Sequence, residues 1–181
     1  MARKNGPWTI KKTTAKYKSP WVEIDEDDVI RPDGKPGIFS TVKMKPGVSI
    51  LPIDDDGFVY LTEEFHYAIG QDSIEVVSGA IDRNEKPLNA AKRELREELG
   101  IEAMEWIALG LVNPFTTVIN SPAHLFIAKK LRFKKSSQEG TENIKQVKVR
   151  LDDAIKMVME NKITHGPSCV LILKARYILK T

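Results

Sequence analysis

The sequence predicts an α/β fold: a mixed sheet with helices packed on it, preceded by a small antiparallel β arm. Three observations lead there. β-rich runs, one well-marked helix, further β-rich runs and two closing helices follow one another, the order of a helix-covered mixed sheet. Turn residues punctuate the N-terminal runs as hairpins require. The central helix carries its own start and stop signals, Pro87 in its first turn and Gly100 at its end.

The elements follow in order. WTIKK and WVEID read as strands, with a turn expected at residues 25–28 before VIRP. PDGKPG is a second turn, and FSTVKMK a further strand. These runs make up an arm over residues 1–45, and residues 46–181 form the main domain. In that domain GVSILPID and FVYLTEEF flank a DDDG turn, and SIEVVSG leads into the central helix. Beyond it WIALGLV, AHLFIAKKLRF and IKQVKVR are strand-like. DDAIKMVMENK and a segment from Pro167 through VLILKARYILK read as the closing helices.

Composition excludes several classes. The 181 residues suffice for one domain with a proper core. A net charge of +3 is too small to argue for nucleic acid. A single cysteine, Cys169, excludes an internal disulfide framework and suits a reducing cytoplasm. No apolar run approaches the ~20 residues of a membrane span. The basic N-terminus lacks the apolar centre of a signal peptide.

The helix is the chemical signal. Leu88, Ala91, Leu95 and Leu99 share one face, and Glu94, Glu97 and Glu98 fall on an adjoining arc about 100° wide. Like charges three and four residues apart cost helix stability, so something positive is expected beside them. Hard oxygen donors gathered this way suit Mg²⁺ or Mn²⁺. A solvated acidic face balanced by Lys92, Arg93 and Arg96 is the alternative.

The segment GAIDRNEKPLNAAKRELREELGI resembles the Nudix box: Gly79, Glu85, Arg93, Glu94, Leu95, Glu97, Glu98, Gly100 and Ile101 fill every fixed position. The resemblance implies a Nudix α/β/α sandwich over the main domain. It implies that Glu94 and Glu98 bind catalytic Mg²⁺, with Mn²⁺ as a substitute, and that Glu97 binds or orients a further metal or water. It implies a backbone ligand from Ser78, a Glu85–Arg93 pair that holds the loop, and backbone freedom at Gly79. The metals would then offset the glutamates.

The wider pattern looks most like the ADP-ribose pyrophosphatase and nucleoside-diphosphate-sugar branch, through VYLTEEFHY, Glu75-Val-Val-Ser-Gly79 and the two closing helices. That implies Mg²⁺-dependent hydrolysis of a pyrophosphate, with ADP-ribose giving AMP and ribose 5-phosphate. Another nucleotide substrate, or a nucleotide-binding module without catalysis, is the rival. Two positions depart from the branch: His66 stands for an arginine and Ser121 for a glutamate. His66 either donates to phosphate or is structural. A general base is implied in KKSSQEGTENIK, where Glu142 and Glu139 are the candidates and a solvated loop is the alternative. Trp21 and Trp8 are candidates to stack on the base or to pack the arm. The branch also implies a homodimer with exchanged arms.

Overall fold

The computed structural model describes residues 2–136 and 143–179. Five strands open the chain: β1 (Arg3–Asn5), β2 (Trp8–Lys18), β3 (Val22–Ile30), β4 (Pro36–Met44) and β5 (Gly47–Pro52). β6 (Phe58–His66), β7 (Gln71–Glu75) and β8 (Val77–Ala80) lead to helix α1 (Pro87–Leu99). Then come β9 (Ile101–Val112), β10 (Ile119–Asn120), β11 (Ala123–Phe133) and β12 (Lys145–Arg150). α2 (Leu151–Met159) and α3 (Gly166–Leu179) close the chain.

The chain divides into two compact units. One holds the residues up to Lys45 together with Phe115–Ser121, and the other Pro46–Pro114 with the residues from Pro122 onward. The first unit is a five-stranded sheet ordered β1-β2-β3-β4-β10. Its first four strands pair antiparallel, and β10 lies parallel to β4. The turn expected at residues 25–28 is absent, because β3 runs unbroken through them. Its acidic residues find partners across the sheet instead. Asp25 accepts from Lys43 at 2.5 Å, Asp27 accepts from the Thr13 hydroxyl, and Glu26 pairs with Lys16 at 2.7 Å. Charges satisfied by neighbouring strands no longer favour a turn.

The second unit centres on a mixed sheet ordered β8-β5-β11-β9, in which β5 and β11 are parallel and the other pairs antiparallel. Side chains alternate between its faces. Val48, Ile50, Phe126 and Ala128 pack with Ala91, Leu95 and Leu99 of α1. Leu51, Leu125 and Ile127 pack with Leu171, Ile172 and Ala175 of α3. Helices thus cover both faces. A second, antiparallel sheet, β12-β6-β7, supplies Val59 and Leu61 to the α3 side.

SIEVVSG, read as one strand, is divided at Val76 between the two sheets. The Val76 N–H turns to Ser168 Oγ of α3 at 3.0 Å. β9 begins at Ile101, directly after the helix, because Gly100 ends α1 in a left-handed conformation (φ 63°). A Cβ at Gly100 would also meet the backbone nitrogen of Ser136 at 2.7 Å. Glycine alone suits both demands.

Candidate active site

β8 and α1 build the site. β8 pairs with β5 and carries Ser78 and Gly79 toward the loop before α1. Leu95 and Leu99 bury α1 on the sheet and fix its rotation. Glu94 and Glu98 then flank the packed face, and Glu98 is only 6% exposed. Glu94 lies directly against Gly79: a Cβ there would sit 2.6 Å from Glu94 Cγ and would overlap its carboxyl group. The sequence assigned this glycine to backbone freedom. It has no positive φ, and its role is clearance for a carboxylate.

Arg93 is the positive group that the glutamates require. Its Nη1 donates to Glu94 Oε1 at 2.7 Å and to Glu97 Oε2 at 3.2 Å. Nε and Nη2 form a fork on Glu85 at 3.1 and 3.0 Å, and Nη2 also donates to the Ala80 carbonyl at 2.9 Å. Glu85 in turn accepts from the Asp82 N–H at 3.0 Å. One guanidinium therefore joins strand end, loop and helix. Glu85, chiefly through its hydrogen bond with Arg93, is held below the usual carboxylate range. Arg93 is shifted the opposite way, first by Glu85 and then by Glu94 and Glu97.

Arg93 thus supplies positive charge beside Glu94 and Glu97. Among the described residues no group of three or more His, Cys, Asp or Glu side chains is arranged as a metal cluster. The donor set still fits a hard cation. Two carboxylates lie one turn apart, and Gly79 leaves room for Glu94 against the backbone. Ser78, the expected backbone ligand, engages its hydroxyl with Ser49 at 3.2 Å and the Val76 carbonyl at 3.0 Å.

His66 ends β6 and meets Glu75 at 3.2 Å, while Glu75 also meets His165 Nδ1 at 2.9 Å. His165 Nδ1 is 2.8 Å from Ser168 Oγ. Burial pushes the Glu75 carboxyl up, but His165 above all, then Ser73 and His66, outweigh it and leave it lowered. The sequence reading missed His165 and Ser168. Their only signal was HGPS at the start of α3.

Glu139 and Glu142 lie outside the described residues. In the first unit, Trp8 packs edge-on against Phe39 at 5.5 Å, and Trp21 is 72% exposed. Ser121 donates to the Lys45 carbonyl at 3.3 Å. No helix among the described residues is long and apolar enough to cross a membrane.

Comparison with known proteins adds to this geometry. The NUDIX domain profile matches residues 43–166, and that of the nucleoside diphosphate sugar hydrolase N-terminal domain matches residues 8–42. An ADP-ribose pyrophosphatase of Bacillus subtilis is 26% identical over 84% of this chain and 85% of its own. A methanol dehydrogenase activator of Bacillus methanolicus is 25% identical over 89% of this chain and 88% of its own. The fold matches the crystal structure of an ADP compounds hydrolase with a TM-score of 0.84, at 19% identity over 98% of this chain and 97% of that one.

Proposed function

The chain belongs to the Nudix domain family, and from that premise we propose that it hydrolyses the pyrophosphate bond of a nucleoside diphosphate sugar, converting ADP-ribose and water to AMP and ribose 5-phosphate. The observation that carries this reading is the arrangement of Glu94 against Gly79, with Glu98 buried one turn on and Arg93 tying Glu94 and Glu97 to Glu85.

Water attacks one phosphorus, the bridging P–O bond breaks, and the other phosphate leaves. Glu94, Glu98 and the Ser78 carbonyl would hold the metal. When bound, Mg²⁺, or Mn²⁺ in its place, neutralises phosphate oxygens, lowers the pKa of the attacking water and stabilises the leaving phosphate. Glu97 orients that water, and Glu142 or Glu139 is assigned as the group that takes its proton. Arg93 and Glu85 hold the loop, and Gly100 ends the helix that carries the carboxylates. His66, beside Glu75, is assigned to the substrate phosphates, and exposed Trp21 to the base.

The reading includes a homodimer with exchanged arms, working in the cytoplasm. Strand register supports the dimer. Tyr17 pairs with Ile24, Ile24 with Val42, and Val22 with Met44, so these side chains share one face of the first unit's sheet. Tyr17 and Met44 on that face are exposed, and such a face is stabilised by a partner.

The test is a turnover screen with Mg²⁺ on the wild type and Glu98→Gln, using ADP-ribose, other nucleotide sugars, dinucleoside polyphosphates and nucleoside triphosphates. AMP and ribose 5-phosphate from ADP-ribose are expected. Loss of one metal carboxylate should lower turnover by about 10²–10³. Cleavage of another compound alone would overturn the substrate. Turnover unchanged in Glu98→Gln would overturn the site.

A further inference from the structure

A second face of α1 carries chemistry that the carboxylates do not use. Lys92 and Arg96 are one turn apart, and both are exposed. Among the described residues neither has an ion-pair or hydrogen-bond partner. Helical geometry, at about 100° per residue, sets Glu94 and Glu98 round the axis on the far side from them. Both cations line a groove of about 280 Å³ between α1 and β9, whose floor and wall are Ile101, Ala103 and Trp106. Glu102, the acidic residue of this lining, is already paired with Lys134 at 2.9 Å. Lys92 and Arg96 also line an adjoining groove with Asn89 and Arg93.

The indole is fixed in place. Trp106 packs edge-on against Phe126 at 6.2 Å, and its Nε1–H donates to the Ala103 carbonyl at 3.1 Å. Its hydrogen-bond donor is thus committed, and what remains to offer a ligand is the ring face. Two uncommitted cations beside a held aromatic ring suit a dianionic phosphomonoester attached to a flat base.

We propose that the groove between α1 and β9 binds a nucleoside monophosphate, with Lys92 and Arg96 on the phosphate and Trp106 against the base, at a site separate from the Glu94–Glu98 carboxylates. Under the hydrolase reading this ligand has the chemistry of the nucleotide product, which makes the groove a product-sensing site. The binding itself does not depend on that reading.

The experiment is a titration of the full chain in EDTA, followed by calorimetry and by tryptophan fluorescence. The probes are AMP, adenosine, ribose 5-phosphate and inorganic phosphate. AMP is expected to bind, to quench fluorescence, and to weaken as ionic strength rises. The double variant Lys92→Met/Arg96→Met should weaken AMP by at least about tenfold. Trp106→Leu should remove most of the quench and weaken AMP by about tenfold. Since Trp106 is half-buried, the exposed double variant keeps the test sound if Trp106→Leu unfolds.

Glu98→Gln should bind AMP like the wild type, which separates this site from the catalytic one. Unchanged AMP affinity in the double variant would overturn the proposal. So would phosphate or ribose 5-phosphate binding as tightly as AMP, since the ring would then contribute nothing. Turnover retained in Glu98→Gln would count against the hydrolase site alone.

Discussion

Glu75 shows how much one residue can join. It sits at the end of β7, with side-chain exposure of only 12%, between His66 and His165. A buried carboxylate is costly unless hydrogen-bonded or paired, and Glu75 is both. Its pKa is held below the ordinary glutamate value, so folding favours the ionised form. The stabilisation it contributes is therefore complete above that unfolded value and is lost as pH falls through the lower folded one. Glu75→Gln should cost about 1–3 kcal/mol near neutral pH. The deficit should shrink on acidification below the ordinary carboxylate range. Thermal melts of both proteins across pH would check this, and a deficit independent of pH would contradict it. Glu75 was legible in the sequence as part of the approach to Gly79. Its partner His165 was not, since a contact between residues 90 positions apart leaves no periodicity.

At the scale of the element, α1 was the most legible part of the chain. Pro87, Gly100 and the spacing of Leu88, Leu95 and Leu99 fix its limits and its buried face without tertiary information. The strands were less legible where their residues serve two masters. The acidic run in β3 reads locally as a turn, and only the cross-strand partners Lys43, Thr13 and Lys16 make it a strand. The carboxylate arc of α1 was visible, but the contacts of Arg93 with Glu94 and Glu97 were not, because a guanidinium's reach cannot be read from spacing. Arg93→Gln should leave Glu94 and Glu97 without their shared donor. A cost of about 2 kcal/mol is expected, less than for a fully buried pair because Arg93 is 28% exposed. That corresponds to a fall of several degrees in Tm. If the carboxylates hold a divalent ion, millimolar Mg²⁺ should raise Tm in the wild type and recover part of the loss in Arg93→Gln. Glu98→Gln should lose the Mg²⁺ response. Melts in EDTA and in Mg²⁺ measure all three, and no Mg²⁺ response in any of them would contradict the assignment.

At the scale of the whole molecule, the β-rich apolar runs of β5 and β11, buried on both faces, made the helix-covered sheet readable. The parallel pairing of β10 with β4 was not, since two residues of strand carry no pattern of their own. The first unit presents a different physical problem. One face of its sheet buries Ile10 and Val29, while the register puts Tyr17, Ile24, Val42 and Met44 on another. Ile38 and Trp21 add apolar surface, at 65% and 72% exposure. A sheet with apolar side chains left in water gains when a second copy covers them, at about 25 cal/mol per Å² removed from solvent. Sedimentation of the full chain should therefore give a dimer that persists on dilution. Charge placed on that surface, as in Ile38→Lys with Met44→Lys, should shift the equilibrium toward monomer. If exchanged arms also complete the substrate site, turnover should fall with the dimer fraction in the Ile38→Lys/Met44→Lys variant. A monomer at all concentrations with undiminished turnover would show that each chain carries a complete site and that this surface serves another purpose.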